Sequence, residues 1–174
     1  LVAVYRCFTP LVEVYSVDEA FLDLTGSLQL FGSAASIARR IKERVRKQFG
    51  LTCSVGIAPN TLLAKLTGDM NKPDGLTVVH PEGVAALLEN LPIEKLCGVG
   101  PKTTVKLNSI GIRTCGELGR FPGKRLTDIF GIIGKRLSQM GRGESDSPVM
   151  PYHHEPATKS MGHSMTFERD TRDP

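Results

Sequence analysis

Two acids stand side by side, Asp18 and Glu19, in YSVDEAFLDLTG (15–26), between two runs of β-branched and apolar residues. Neighbours in a regular strand point to opposite faces, so the pair can serve one ion only if the backbone bends there. A hairpin turn over Ser16 to Glu19 is the bend the pattern predicts. Carboxylates held together without a cation repel each other. Hard oxygen donors suit Mg²⁺, which takes one or two protein carboxylates and completes its shell with water and substrate phosphates. Taken alone, an Asp-Glu turn is more often a solvated polar hairpin, so the rest of the chain must decide.

A second chemical signal is SVGIAPNTLLAKLTGDMNKPDGLTVV (54–79). Lys72 stands beside Pro73 at the end of a loop, where it can act as a point charge on a phosphate or simply be solvated. Lys65, inside the preceding helix, reads rather as a solvated or snorkelling lysine. The third signal is LPIEKLCGVGPKTTVKLNSIGI (91–112), with the form of a helix, a tight Gly98-Val99-Gly100 turn and a second helix. Pro101 opens that second helix and Gly111 stops it. Glycines one residue apart let the backbone approach a phosphate, and the free N–H groups of the second helix point at it. Lys102 and Lys106 add positive charge one turn apart. The segment resembles a helix-hairpin-helix, a sequence-independent clamp on the DNA backbone. Thr104 stands where the motif usually has a small residue, and the competing reading is a plain helix turn with a G-x-G.

Stepping out from these residues, 174 residues with 40% hydrophobic composition allow one ordinary core or two small ones. Net charge is +4, yet residues 92–150 hold ten Lys and Arg against five Asp and Glu. The excess charge therefore sits on the segment with the glycine turn, as an anionic partner requires. Cys7, Cys53, Cys97 and Cys115 form no C-x-x-C pair, so neither a zinc site nor a disulfide framework is suggested. No secretory leader and no apolar run of membrane-spanning length is present, and a soluble cytoplasmic protein is expected. The first residue is Leu and the last ones stop just after a new strand pattern begins, so a piece of a longer protein is expected.

The elements that must position the chemistry follow from periodicity. Val12–Val17 and Ala20–Thr25 read as strands. From Ser33 to Phe49, Ile37, Ile41, Val45 and Phe49 recur at helical spacing opposite a basic face. A strand Leu51–Ile57, a helix to Met70 capped by Asn60, a strand Leu76–Val79 and a helix through Leu88 complete an α+β unit, a mixed sheet with helices on one face. After Pro92 the texture becomes that of a small all-α unit. Residues 144–159 read as an extended linker, and Ser160–Arg169 as the first strand of another domain.

In this order and spacing, YSVDEAFLDLTG, SVGIAPNTLLAKLTGDMNKPDGL and LCGVGPKTTVKLNSIGI resemble consecutive landmarks of the Y-family, or translesion, DNA polymerases, over nearly the whole chain. The resemblance implies a partial palm over 1–90, a thumb over 91–143, a linker over 144–159 and the start of a little-finger domain over 160–174. It implies template-directed nucleotidyl transfer past damaged bases by a two-metal mechanism. Asp18 and Glu19 would be catalytic metal ligands for Mg²⁺, Lys72 would contact the triphosphate of the incoming deoxynucleotide, and Gly98, Val99, Gly100, Lys102 and Lys106 would hold the primer–template DNA. Thr61 stands where many members of the family have a lysine after A-P-N, which puts any phosphate role at that position in doubt. The family's first palm strand, with its D-x-D acid, and the fingers would lie upstream of Leu1, so this chain alone is expected to bind DNA but to be crippled in synthesis. A sliding-clamp peptide is expected only beyond the C-terminus, and no membrane partner is expected. Two other readings compete. One is a non-catalytic, polymerase-like accessory protein, against which both acids argue. The other is a nucleotide cyclase, in which the hairpin has no purpose.

Overall fold

The structure is a computed structural model and describes residues 1–153, 162, 165 and 169. A short helix α1 (Val2–Arg6) leads into strands β1 (Val12–Val14) and β2 (Ala20–Leu22), paired antiparallel with Val12 opposite Leu22. A 3₁₀ turn and helix α2 (Leu28–Phe31) precede the long helix α3 (Ala34–Phe49). Then come β3 (Val55–Ile57), α4 (Thr61–Met70) and β4 (Leu76–Val78), with β3 and β4 parallel. The helical unit contains α5 (Val84–Glu89), a 3₁₀ turn Ile93–Lys95, α6 (Pro101–Ser109), α7 (Cys115–Arg120), α8 (Gly123–Phe130) and α9 (Ile132–Gly141).

α3 obeys its sequence pattern closely. Ile37, Ala38, Ile41 and Val45 are buried, the Ser33 side chain accepts from the Ser36 N–H at the start, and Gly50 closes the helix at φ 67. That left-handed conformation is the one glycine adopts without steric cost. Phe49, the fourth member of the expected apolar row, lies past the packed face and is 49% exposed. Val4 and Phe8 from the N-terminal segment complete this core, and Arg44 lies 4.9 Å over the Phe8 ring.

Strands are shorter than the sequence runs suggest, three residues each, and they form two separate two-stranded ladders, one antiparallel and one parallel. The second core links the units: Leu63 and Leu66 of α4 pack with Leu88, Ile93, Leu107, Leu118, Leu126 and Leu137. Asn60 serves both sides of that junction. Its Oδ1 caps α4 by accepting from the Leu63 N–H at 3.0 Å, while its Nδ2 donates to the Gly143 carbonyl at 2.7 Å.

The first helix of the expected hairpin is a single 3₁₀ turn. Ile93 N–H to Arg113 O and Cys115 N–H to Leu91 O tie both ends of this stretch to the chain after α6, and Leu96 is extended and fully buried. Those cross-chain bonds occupy the backbone groups a longer helix would use. The expected linker shows no regular structure over 144–151, and the expected strand at 160–169 lies outside the described residues.

β3 lies directly on α4 through Gly56. A Cβ there would overlap the Ala64 carbonyl oxygen, the Gly68 nitrogen and the Thr67 hydroxyl. Two of these three atoms are backbone and cannot rotate away. Gly56→Ala is expected to cost about 3 kcal/mol by forcing strand and helix apart. Urea unfolding checks this, and an unchanged midpoint would refute the close approach.

Candidate active site and nucleic-acid interface

The β1–β2 turn is built so that Glu19 returns the chain. Its carbonyl accepts from both Tyr15 N–H (2.9 Å) and Ser16 N–H (3.2 Å), a local irregularity that re-aims the residues between. Ser16 Oγ donates to Asp18 Oδ1 at 2.9 Å, and Asp18 is otherwise exposed. Tyr15 packs edge-on against Phe21, with centroids 5.2 Å apart, and its hydroxyl lies 3.9 Å from Cys97 Sγ in the helical unit. That contact, above all its hydrogen bond, raises the Tyr15 pKa.

Asp18 and Glu19 border an open cleft of about 940 Å³ that is also lined by Lys65, Asp69 and Lys72. The runs from Asp18 to Thr25 and from Thr52 to Thr61 line it, with Ala38 and Ile41 of α3 and Ala64 and Gly68 of α4. α4 supplies Lys65 and Asp69, and the loop after it supplies Lys72. Lys65 pairs with Glu19 and stands 3.4 Å from Asp69 one turn on, and Asp69 in turn holds Lys72 at 2.5 Å. A chain of alternating charge, Glu19–Lys65–Asp69–Lys72, thus borders the cleft.

These contacts set protonation. The Glu19 hydrogen bond, helped by Asp69, raises the Lys65 pKa against the opposing effect of burial. The Lys72 hydrogen bond, with Lys65 beside it, holds the Asp69 carboxyl below the usual range. Both groups are therefore charged at neutral pH. The stability that Asp69 derives from this is present above the ordinary aspartate pKa and is lost as pH falls through its lowered value. The Lys65 contribution is present below the ordinary lysine pKa and is lost as pH rises through its raised value.

Lys65 and Asp69 are the site residues that sequence reasoning missed. Their signal was the i, i+4 spacing of Lys65 and Asp69 followed by Lys72 three residues on. Asp18 and Glu19 offer the hard oxygen donors that suit a magnesium-like ion, and both line the open cleft. Among the described residues, no group of three His, Cys, Asp or Glu side chains is placed to hold a metal. The pair is thus chemically suited to such an ion.

The glycine hairpin is not among the residues that line this cleft. Gly98 has φ 93, and Gly100 is the extended N-cap of α6, with open space where its Cβ would be. Lys102, in the first turn of α6, is exposed and has no ion pair among the described residues. Val99 is turned inward: its side chain is 7% exposed in the core and its N–H donates to Leu96 O. Lys106 donates to the Ile129 carbonyl at 2.7 Å and lies 4.6 Å over the Phe130 ring, which ties α6 to the end of α8. The structure therefore separates two lysines that the sequence treats alike.

Known proteins match both parts. The family model described as "impB/mucB/samB family" matches residues 1–69, and "DNA polymerase-iota, thumb domain" matches residues 94–145. DNA polymerase IV of Moorella thermoacetica is 45% identical over 172 residues, covering 99% of this chain and 43% of the relative. A solved Y-family DNA polymerase chimera of Dbh and Dpo4 superposes with a TM-score of 0.78 at 31% identity, over 85% of this chain and 44% of that one. An insertion ternary complex of Dbh DNA polymerase gives 0.72 at 31% identity, over 84% and 45%. The chain spans less than half the length of these proteins. With both family models, the identity to DNA polymerase IV along nearly its whole length and the superposition on Y-family structures in agreement, the chain belongs to the Y-family of DNA polymerases.

Proposed function

We propose that this chain is the palm and thumb portion of a DNA-directed DNA polymerase that copies past damaged bases, with primer–template DNA and a deoxynucleoside triphosphate as substrates. The observation that carries the reading is that Asp18, Glu19 and Lys72 line one cleft, although Lys72 lies more than 50 residues from the acids. The proposed palm is 1–90 and the proposed thumb 91–143, with the linker from 144 and the little finger from 160.

In this reading Asp18 and Glu19 hold Mg²⁺. When bound there, the metal neutralises charge on the reacting phosphate and favours the ionised 3′ oxygen. Lys72 meets the triphosphate as a point charge, leaving Asp69 to do so. Asp69 keeps a second cation, Lys65, beside it, so its own charge is not stranded. Gly98, Gly100 and the N-terminus of α6 lie against a DNA phosphate, with Lys102 adding charge and Val99 and Lys106 holding the turn in shape.

A third carboxylate also has a place to enter. Among the described residues β2 and β3 each pair along one edge, and consecutive residues of both line the cleft. An open strand edge accepts one more strand, because unpaired ladder groups seek partners. An Asp-x-Asp strand paired there would complete the metal ligands beside Asp18 and Glu19.

Primer extension tests the proposal. The full-length protein is expected to extend a primer with Mg²⁺ across an undamaged and a damaged template. Residues 1–174 alone are expected to bind the same DNA while extending it at least about a thousandfold more slowly, for want of the third ligand. Synthesis by 1–174 at the full-length rate would overturn the incomplete-site reading, and no synthesis by the full-length protein would overturn the polymerase itself.

A further inference from the structure

Lys42 stands on α3 outside the cleft, yet its ammonium is the most heavily engaged lysine among the described residues. It donates to the backbone carbonyls of Cys53 (2.5 Å), Asp74 (3.0 Å) and Gly75 (3.3 Å), and it pairs with the Asp74 carboxylate. An ammonium has three N–H donors, so this side chain is saturated by protein acceptors. Its side chain is only 18% exposed, which makes it a poor candidate for a solvated surface lysine. Arg46, 3.7 Å from the other Asp74 oxygen and 73% exposed, adds little.

The four acceptors belong to two loops, one entering β3 and one joining α4 to β4. The second loop is the one that carries Lys72. Its backbone is not relaxed: Asp74 has φ 54, a left-handed conformation uncommon outside glycine. Gly75 lies so close to Asn71 that a Cβ would overlap the Asn71 carbonyl. The loop is also stitched to β3, since the Gly75 carbonyl accepts from Val55 N–H at 3.0 Å and the Gly75 N–H meets Ser54 Oγ at 3.3 Å. Lys42 reaches this seam from the helix below, and its ammonium holds the Asp74 carboxyl below the usual range.

We propose that Lys42 is a positioning residue for nucleotide binding: by clamping residues 74–75 and 53 to α3, it fixes where Lys72 enters the cleft. The inference rests on the polymerase reading above and adds to it a residue that touches neither nucleotide nor DNA. Charge at Lys42 then matters to the nucleotide through Lys72 alone.

The test is steady-state single-nucleotide incorporation by the full-length protein. Lys42→Met keeps most of the aliphatic stem and removes the charge. It is expected to raise KM for the incoming nucleotide about tenfold, the effect of losing charge-assisted hydrogen bonds, while leaving kcat and DNA affinity nearly unchanged. Lys42→Arg should recover most of that loss. Lys72→Ala should raise KM as well, and the double variant should be no worse than Lys72→Ala alone, because the two residues act in series. Independent, multiplying effects would overturn the positioning role. A normal KM for Lys42→Met beside a raised one for Lys72→Ala would also overturn it while sparing the polymerase reading. A normal KM for Lys72→Ala would instead remove the nucleotide role of Lys72 and the Lys42 proposal with it. If Lys42→Met does not fold, Asp74→Asn carries the test. Asparagine tolerates the left-handed backbone but cannot form the ion pair, so a rise in KM of about threefold is expected, and no rise counts against the clamp.

Discussion

Asp18→Asn in the full-length protein is expected to reduce nucleotide incorporation by about three orders of magnitude, equivalent to about 4 kcal/mol of transition-state stabilisation. DNA affinity and melting temperature should stay as they were. The separation is possible because Asp18 has so little structural employment. It is exposed at a hairpin turn and accepts one hydrogen bond, from Ser16 Oγ. Asparagine keeps that acceptor and removes only the charge. Glu19→Gln is a less clean experiment, since Glu19 also pairs with Lys65, and its loss leaves Lys65 with Asp69 alone. Primer extension and DNA-binding titration on the same preparations decide the matter. If Asp18→Asn retains activity within tenfold of the parent, the metal role is wrong. If the parent itself binds DNA without synthesis, the accessory-protein reading takes its place.

Lys102→Glu is expected to weaken DNA binding about tenfold or more at moderate salt and to lower the slope of log affinity against log salt by about 2, since one cation is lost and one anion gained. The loss should be equal on unrelated DNA sequences, because a backbone clamp reads phosphates rather than bases. Lys106→Ala should behave differently although it lies one turn away. Its ammonium already serves the Ile129 carbonyl and the Phe130 ring, so its removal loosens the contact between α6 and α8. A lower melting temperature with a smaller change in salt slope is the expected result. Fluorescence anisotropy at several salt concentrations, with two unrelated duplexes, checks both variants. A loss confined to one DNA sequence, or an unchanged slope for Lys102→Glu, would refute the clamp.

Local features were legible wherever the governing interaction is itself local. Asn60 stands at the start of α4 where its capping chemistry predicts, and the buried face of α3 follows its apolar spacing up to Phe49. The Ser16–Glu19 turn and the opening of α6 at Pro101 follow from residue type in the same way. Misreadings arose where distant chain competes for the same groups. The stretch from Ile93 to Lys95 has a helical pattern, but its neighbours are bonded across to Arg113 and Cys115, which leaves a single 3₁₀ turn.

For function, the sequence alone determined the chemical inventory: two adjacent acids, a lysine before a proline, and a glycine turn followed by lysines. Their types and order suffice for a family resemblance, because such motifs are short and carry their own geometry. Only the tertiary structure decided which charges work together. Lys65 looked like a solvated lysine until the β1–β2 hairpin brought Glu19 to it from 46 residues away. Lys42 was one cation among several on a basic helix until two loops delivered four acceptors to it. The reason is physical: the stability of an ion pair depends on distance and burial, and folding rather than sequence spacing sets both for residues on different elements.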